Sequence, residues 1–273
     1  MQDVQSRPDS RGIDIQHVGV KNVHLPLKIA QKGGGYQSVL GNVSLSVDLP
    51  MQFKGTHMSR FIEVLYGWSG EPLSNTLIAE VLKDTCAALA ASRAQIVIRF
   101  KYFVNKQAPV SRKRSVLDYN CEFIGELDGG KHIFTLGVEV PVTSCCPCSK
   151  EISDYGAHNQ RTMVRARVRF SSAGFLWIED LIQLLEATGS CEIYPLLKRE
   201  DEKYVTEKAY ENPKFVEDIL RDVVLALRAE PRVRWFSVEC ESFESIHNHS
   251  AFANHTETKA KETKKKGEPT CPS

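Results

Sequence analysis

Three stretches of this chain alternate apolar and polar residues with a period of two, and nothing else in the sequence constrains the fold as strongly. Val43, Leu45, Val47 and Leu49 alternate with Ser44, Ser46 and Asp48. Phe134, Leu136, Val138, Val140 and Val142 form a second series. Val164, Ala166, Val168 and Phe170 alternate with Arg165, Arg167 and Arg169 in a third. Successive side chains of a strand point to opposite faces, so each series needs a sheet with one buried face.

Between these strands the apolar period changes to that of a helix. Met58, Phe61, Ile62 and Leu65 fall at i, i+3, i+4 and i+7, with Thr56 placed to cap and Gly67 to close. Ser74 or Asn75 starts a second helix, with Ile78, Val81, Leu82 and Leu89 on one face. Ile178, Leu181, Ile182 and Leu185 mark a third, ended by Gly189. Asn212 is placed to cap a fourth with Pro213 at its first position, where a missing N–H does no harm, and Phe215, Val216, Ile219, Leu220, Val223 and Leu227 give it a broad apolar face. Further extended stretches are predicted at 18–29 (broken by Pro26), 94–104, 115–126 and 233–243. The order reads ββααββ twice, joined near Asp128-Gly129-Gly130. The expected organisation is an irregular, disordered N-terminus over 1–12, one unit over 13–128 and a second over 129–252. From Ala253 onward, with Lys264-Lys265-Lys266 and no apolar rhythm, a disordered tail is expected.

Lys plus Arg is 35 against 34 for Asp plus Glu, so there is no overall basic field of the kind that coats nucleic acid. The N-terminus lacks an apolar leader and no run approaches 18 apolar residues, so a cytoplasmic protein without membrane contact is expected. Cysteines are normally reduced there, and clustered ones point to metal or catalysis before disulfides. Of the eight, Cys86, Cys191 and Cys240 lie in apolar-patterned segments and read as core filler.

The cluster is Ser144-Cys145-Cys146-Pro147-Cys148-Ser149-Lys150, followed by Gly156-Ala157-His158-Asn159-Gln160-Arg161. Three thiols and an imidazole within fifteen positions are ligand chemistry for zinc and its neighbours. A closed structural zinc site needs four ligands, and this stretch offers two or three. Either the rest come from far along the chain, or a position stays open, as in catalytic sites, or the thiol pair is accidental. His247 and His249 share one face of an extended segment, and could bind metal, shuttle protons or sit in a solvated loop. The acidic candidates are Glu200, Asp201 and Glu202 after Lys198-Arg199, and Glu217 beside Val216 and Leu220; each is a ligand candidate or part of a wet face. Arg165, Arg167 and Arg169 could meet a polyphosphate or simply line the wet face of a strand. Lys101, Lys106, Arg112, Lys113 and Arg114 form a basic region that reads as a phosphate or RNA patch or as a charged hairpin loop.

On these residues the sequence resembles GTP cyclohydrolases of type IB. The resemblance rests on Val47-Asp48-Leu49-Pro50, Lys54-Gly55-Thr56-His57-Met58-Ser59-Arg60, the run from Val140 to Lys150, Gly156-Ala157-His158-Asn159-Gln160-Arg161 and Glu244-Ser245-Ile246-His247-Asn248-His249, and spans residues 14–252. It implies an α+β tunnelling fold (T-fold): two tandem ββααββ units, antiparallel sheets with helices on one face, assembling into a ring, here a homotetramer with sites at subunit boundaries. It implies metal-dependent hydrolysis of GTP to 7,8-dihydroneopterin triphosphate and formate, the first step of tetrahydrofolate biosynthesis. Carried over by motif, Cys146, His158 and Glu202 are metal ligands for Zn, Mn or Fe. Cys146, Cys148, Glu244 and His247 are catalytic, and Glu217 anchors the guanine. The other readings are a structural zinc protein, an RNA-binding module built on Arg112-Lys113-Arg114, and a relative of the same fold acting on another pterin or deazapurine.

Overall fold

The computed structural model describes residues 5, 7–171 and 173–259. In chain order the elements are β1 (Ile15–Ala30), β2 (Tyr36–Leu49), α1 (Met58–Trp68), β3 (Pro72–Leu73), α2 (Asn75–Leu89), β4 (Arg93–Gln107), β5 (Arg114–Asp128), β6 (Lys131–Cys145), α3 (Pro147–Ile152), β7 (Asn159–Phe170), α4 (Ile178–Glu186), β8 (Cys191–Glu192), α5 (Arg199–Glu211), α6 (Val216–Ala229), β9 (Val233–Phe243) and β10 (Ser250–Thr258). All the strands belong to one sheet, in the order β10-β9-β7-β6-β5-β4-β2-β1-β3, with β8 paired to β6. Among the described residues, β1 and β3 alone run parallel.

The alternating series explain this sheet. Cross-strand register places Val43 opposite Ile98, Ile98 opposite Phe123, Phe123 opposite Leu136, Leu136 opposite Val168, and Val168 opposite Phe236. All six are buried. One apolar row thus crosses both halves of the chain, and a one-residue slip anywhere would turn a strand's apolar set to solvent. Helices cover this row. Phe61 and Leu65 of α1, Ile78 and Leu82 of α2, Leu181 and Leu185 of α4, and Ile219, Val223 and Leu227 of α6 are buried in the same core. At Gly125 a Cβ would come within 2.4 Å of Ile78 Cγ2, so glycine there lets α2 approach the sheet closely.

Two tandem ββααββ units, each with its own sheet, are not what forms. The turn at Gly129-Gly130, with φ of 53° and 80°, is a tight hairpin. It pairs residues 120–128 of β5 with residues 131–139 of β6, so the halves share one ladder. The second half also inserts α3 and α5, which have no counterpart in the first.

Other expectations shift as well. Pro26 does not break β1, which has a second neighbour only at Lys28 and Ile29, so a missing N–H is tolerated. His57, not Thr56, occupies the N-cap position of the first helix, and no side-chain capping bond is made there. Asn212 is the C-cap of α5, not the start of α6, whose N-cap is Phe215. The tail expected from Ala253 is in fact strand β10 as far as Thr258. Its remainder from 260 on, with Lys264 to Lys266, and residues 1–4 and 6 of the N-terminal segment lie outside the described residues.

The sheet's other face is charged. Arg99, Lys101, Glu122, Glu139, Arg165 and Arg167 are among the residues lining an open trough of about 710 Å³. The arginine stripe is satisfied internally. Arg165 bonds Glu239 and Glu241 at 2.9 and 2.8 Å, Arg167 bonds Glu122 at 2.5 Å, and Arg169 bonds Glu126 at 3.0 Å while stacking over Trp235. None of the described helices is long and apolar enough to cross a membrane, which says nothing of strands.

Candidate active site

The candidate site lies where β6 ends, β7 begins and β9 ends. Pairing of Cys145 with Asn159 and Ser144 with Gln160 sets the frame. The chain leaves β6 through α3, whose N-cap is Cys146, with Pro147 at the first helical position. The Cys146 N–H donates to the His158 carbonyl at 3.1 Å. The Ser149 hydroxyl donates to the Cys146 carbonyl and accepts from the His158 N–H, both at 3.2 Å. Cys146 and His158 are therefore fastened together from both sides of a short loop.

The segment after β9 closes this corner. Ser245 Oγ lies 3.2 Å from His158 Nδ1 and fixes the ring, which leaves Nε2 as the nitrogen for a ligand. Gln160 Nε2 donates to Glu244 Oε1 at 2.7 Å and to Ser242 Oγ at 3.0 Å. Cys146 and His158 are thus joined directly, and Glu244 is tied to the same corner through Gln160 and its neighbour Ser245. Cys148 is exposed on α3. His247 is exposed in the loop that carries Ser245, its ring stacked on His249 with centroids 5.1 Å apart and planes 11° apart.

The predicted carboxylate ligand is elsewhere. Glu202 sits exposed in the first turn of α5, as does Glu200. Lys150 Nζ of α3 bonds the Tyr210 carbonyl near the C-terminal end of α5, at 2.6 Å. Eight residues of helix separate Tyr210 from Glu202, roughly 12 Å at about 1.5 Å per residue. Among the described residues, no group of three or more His, Cys, Asp or Glu side chains is placed to hold a metal ion. Glu217 is likewise exposed, in the first turn of α6.

Between them, Asp201 is fully buried. It accepts from the N–H groups of Lys198, Val110 and Ser111 at 2.9, 2.8 and 2.9 Å, and from the Ser111 hydroxyl at 2.5 Å. Burial alone would raise its pKa; the Ser111 hydroxyl and the three N–H groups outweigh that and hold the carboxyl well below the usual range. Asp201 is a latch that docks the start of α5 onto the β4–β5 loop. Sequence reasoning placed it only among three adjacent acids; its position three residues after Lys198 was the available signal.

Lys106 also differs from its reading as part of a basic patch. It is buried, 2.8 Å from Glu186 Oε2 and 2.7 Å from Glu192 Oε2, and the Tyr119 hydroxyl donates to Glu186 Oε1 at 2.6 Å. Burial would lower its pKa, and the two carboxylates reverse that. Lys101 pairs with Asp118.

Among the described residues, the remaining thiols are buried or half-buried; Cys271 lies outside them. Cys145 is fully buried against Cys191 and Ala209, and burial pushes its pKa up. Burial pushes the Cys240 thiol up to about 12. Beside the corner, Thr143, Asn159, Gln160, Arg161, Glu192 and Tyr194 are among the residues lining a hollow of about 390 Å³.

The architecture defines the class: an α+β protein whose long antiparallel sheet carries helices along one face. It is similar to that of the uricase from Arthrobacter globiformis (TM-score 0.55, 11% identity, 94% of this chain and 96% of that one) and of a hyper-thermostable mutant uricase (TM-score 0.56, 11% identity, 90% and 92%). At that identity the likeness shows the fold alone. In sequence, the chain is 51% identical to the GTP cyclohydrolase FolE2 of Magnetococcus marinus over 253 residues, covering 93% of this chain and 94% of that one. It is 52% identical to that of Nitrosococcus oceani over 253 residues (93% and 94%), and 51% identical to that of Geobacter sulfurreducens over 261 residues (96% and 100%). The family model described as type I GTP cyclohydrolase folE2 matches residues 1–253, and the chain belongs to that family.

Proposed function

We propose that this GTP cyclohydrolase converts GTP to 7,8-dihydroneopterin triphosphate and formate, opening tetrahydrofolate biosynthesis, at the corner formed by Cys146, His158 and Glu244. The observation that carries the reading is the paired fastening of Cys146 to His158, with Ser245 orienting the imidazole, inside the part of the chain that the family match covers.

The donors at this corner fit a divalent ion. A thiolate and an imidazole are ligands for Zn, and a carboxylate added to them also suits Mn or Fe. Cys146 and His158 would hold the ion from one subunit, and Glu202 would come from a second copy of the chain. The exposure of Glu202, Cys148, Glu217 and His247 supports this reading, because these side chains present a surface for another subunit and the substrate. The assembly proposed is a homotetramer. When bound, the ion supplies Lewis acidity at the purine carbon under attack.

The chain's own groups do the rest. Cys148 donates a proton from its thiol. Glu217 accepts two parallel N–H bonds from the guanine edge, a geometry that suits a carboxylate. Glu244 and His247 move protons as the imidazole ring of GTP opens and the pterin closes. The test is turnover of GTP by metal-loaded protein, read as pterin fluorescence after oxidation. Cys148→Ala and Glu217→Ala should each lower kcat/KM by about 10³-fold; full activity in both removes this assignment.

A further inference from the structure

The amide of Gln160 has one end committed and the other bare. Its Nε2 donates to Glu244 Oε1 and Ser242 Oγ. A carboxylate oxygen accepts from an amide N–H, so the amide nitrogen faces Glu244 and the carbonyl oxygen faces away. That oxygen, Oε1, is buried and has no hydrogen-bond partner among the described residues. Buried acceptors are nearly always paired, so an orphan here calls for a donor the chain does not supply, a water or a bound ligand.

Rotation cannot relieve it. Ser144, Thr162 and Ser242 are buried, and their hydroxyls form a chain: Ser144 Oγ to Thr162 Oγ1 at 2.9 Å, and Thr162 Oγ1 donating to Ser242 Oγ at 3.0 Å. This chain ties β6, which delivers Cys146, to β9, which delivers Glu244. Turning the Gln160 amide would set its oxygen against the Glu244 carboxylate and break the donation to Ser242. Gln160 is also among the residues lining the hollow of about 390 Å³.

We infer that Gln160 contacts the substrate: its Oε1 accepts a hydrogen bond from an N–H or O–H of the bound purine nucleotide, while its Nε2 holds Glu244 in place. This rests on the proposed function, in that GTP binds at this corner. Gln160 is a substrate-contacting and positioning residue. It anticipates a bound state in which every buried polar atom of the chain Ser144, Thr162, Ser242, Gln160 and Glu244 is paired.

The test separates binding from turnover. A 7-deaza analogue of GTP keeps the substrate's N–H and O–H donors but lacks the N7 through which the ring opens. Gln160→Met, which keeps side-chain length and removes both amide ends, should raise the Kd for this analogue about tenfold, the size of one lost hydrogen bond. It should also lower kcat for GTP at least about tenfold. Glu244→Gln should lower kcat while leaving that Kd within about threefold of wild type. A Gln160→Met enzyme whose Kd stays within about twofold of wild type overturns the inference and assigns Oε1 to a bound water. Weak analogue binding by Gln160→Met together with full turnover by Glu244→Gln supports the contact and removes Glu244 from the mechanism. A wild-type enzyme that turns over GTP but does not bind the analogue overturns the contact; one that does neither overturns the proposed function first. Should Gln160→Met fail to fold, the double exchange Gln160→Glu/Glu244→Gln keeps an amide donor facing a carboxylate oxygen across the pair and an oxygen at this place. Its Kd should then stay within about threefold of wild type, and a tenfold loss contradicts the inference.

Discussion

Residues 15–128 and residues 131–258 hang helices on the same face of one sheet, yet they differ in how their strands are joined at one end. In the first half the joins there are short: residues 31–35 between β1 and β2, and residues 108–113 between β4 and β5. In the second half the corresponding end carries residues 146–158 between β6 and β7, with α3, and residues 244–249 between β9 and β10. Cys146, Cys148, His158, Glu244 and His247 all lie in these two joins, of which 146–158 is much the longer and 244–249 matches 108–113 in length. The sheet is common to both halves, and the candidate chemistry sits in the connections that a rigid ladder holds in place. The halves are also bolted together. Lys106 of the first half is buried between Glu186 and Glu192 of the second, and Asp201 of the second half caps backbone of the first.

Breaking the first bolt should have the largest effect on stability. Lys106→Ala leaves two carboxylates facing each other in a buried site, and should cost about 3–5 kcal/mol, measured by denaturant unfolding. A loss under about 1 kcal/mol would mean that the halves are not coupled there. The two buried aspartates sharpen the contrast. Asp48 accepts from the Ser92 N–H, the Ser92 hydroxyl and the Arg93 N–H at 3.0, 2.6 and 2.7 Å, entirely within the first half. Asp48→Asn should cost about 2 kcal/mol of stability and leave kcat/KM of the folded enzyme within about twofold. Asp201→Asn should lower kcat/KM about tenfold, because it frees the turn that carries Glu200 and Glu202. Equal kinetics in the two variants would break the comparison.

The smallest effect is in pH. The Asp48 carboxyl is held below its ordinary value of 3.8: burial pushes it up, but the Ser92 hydroxyl and the backbone N–H groups of Arg93 and Ser92 push it down further. A depressed folded pKa gives stabilisation that is complete above the unfolded value, about 4, and lost as pH falls through the folded one. Wild type should therefore lose stability more steeply than Asp48→Asn below about pH 4. Parallel slopes would contradict the assignment.

The strands and apolar helices were legible because their periods are written in large side chains: Leu136 and Val168 on the sheet, Leu181 and Leu185 on α4. Helix α5 was not, since only Asp201 and Ala209 of it are buried and no apolar stripe shows. Its acidic first turn and Lys208 in the last were the faint signals, both favourable to the helix dipole. Strand β10 hides because Ala251 and Ala253 stand where larger residues would mark the period; it is held by β9 and by the pair Arg228–Glu257. The Gly129-Gly130 turn looks in sequence like a boundary between units, but it is a tight hairpin whose strands pair. At the site, the nearness of Cys146 and His158 was legible from spacing. The place of Glu202 was not, because it depends on where Asp201 docks α5.

The central claim is that the Cys146–His158 corner holds a divalent ion needed for turnover and not for folding. The direct measurement is to strip the protein with a chelator and follow GTP-dependent pterin fluorescence and far-UV circular dichroism on the same sample. The account predicts that fluorescence stops, the dichroism is unchanged, and turnover returns when Zn²⁺, Mn²⁺ or Fe²⁺ is restored. Turnover that persists without metal, or a fold that collapses with its removal, would contradict it.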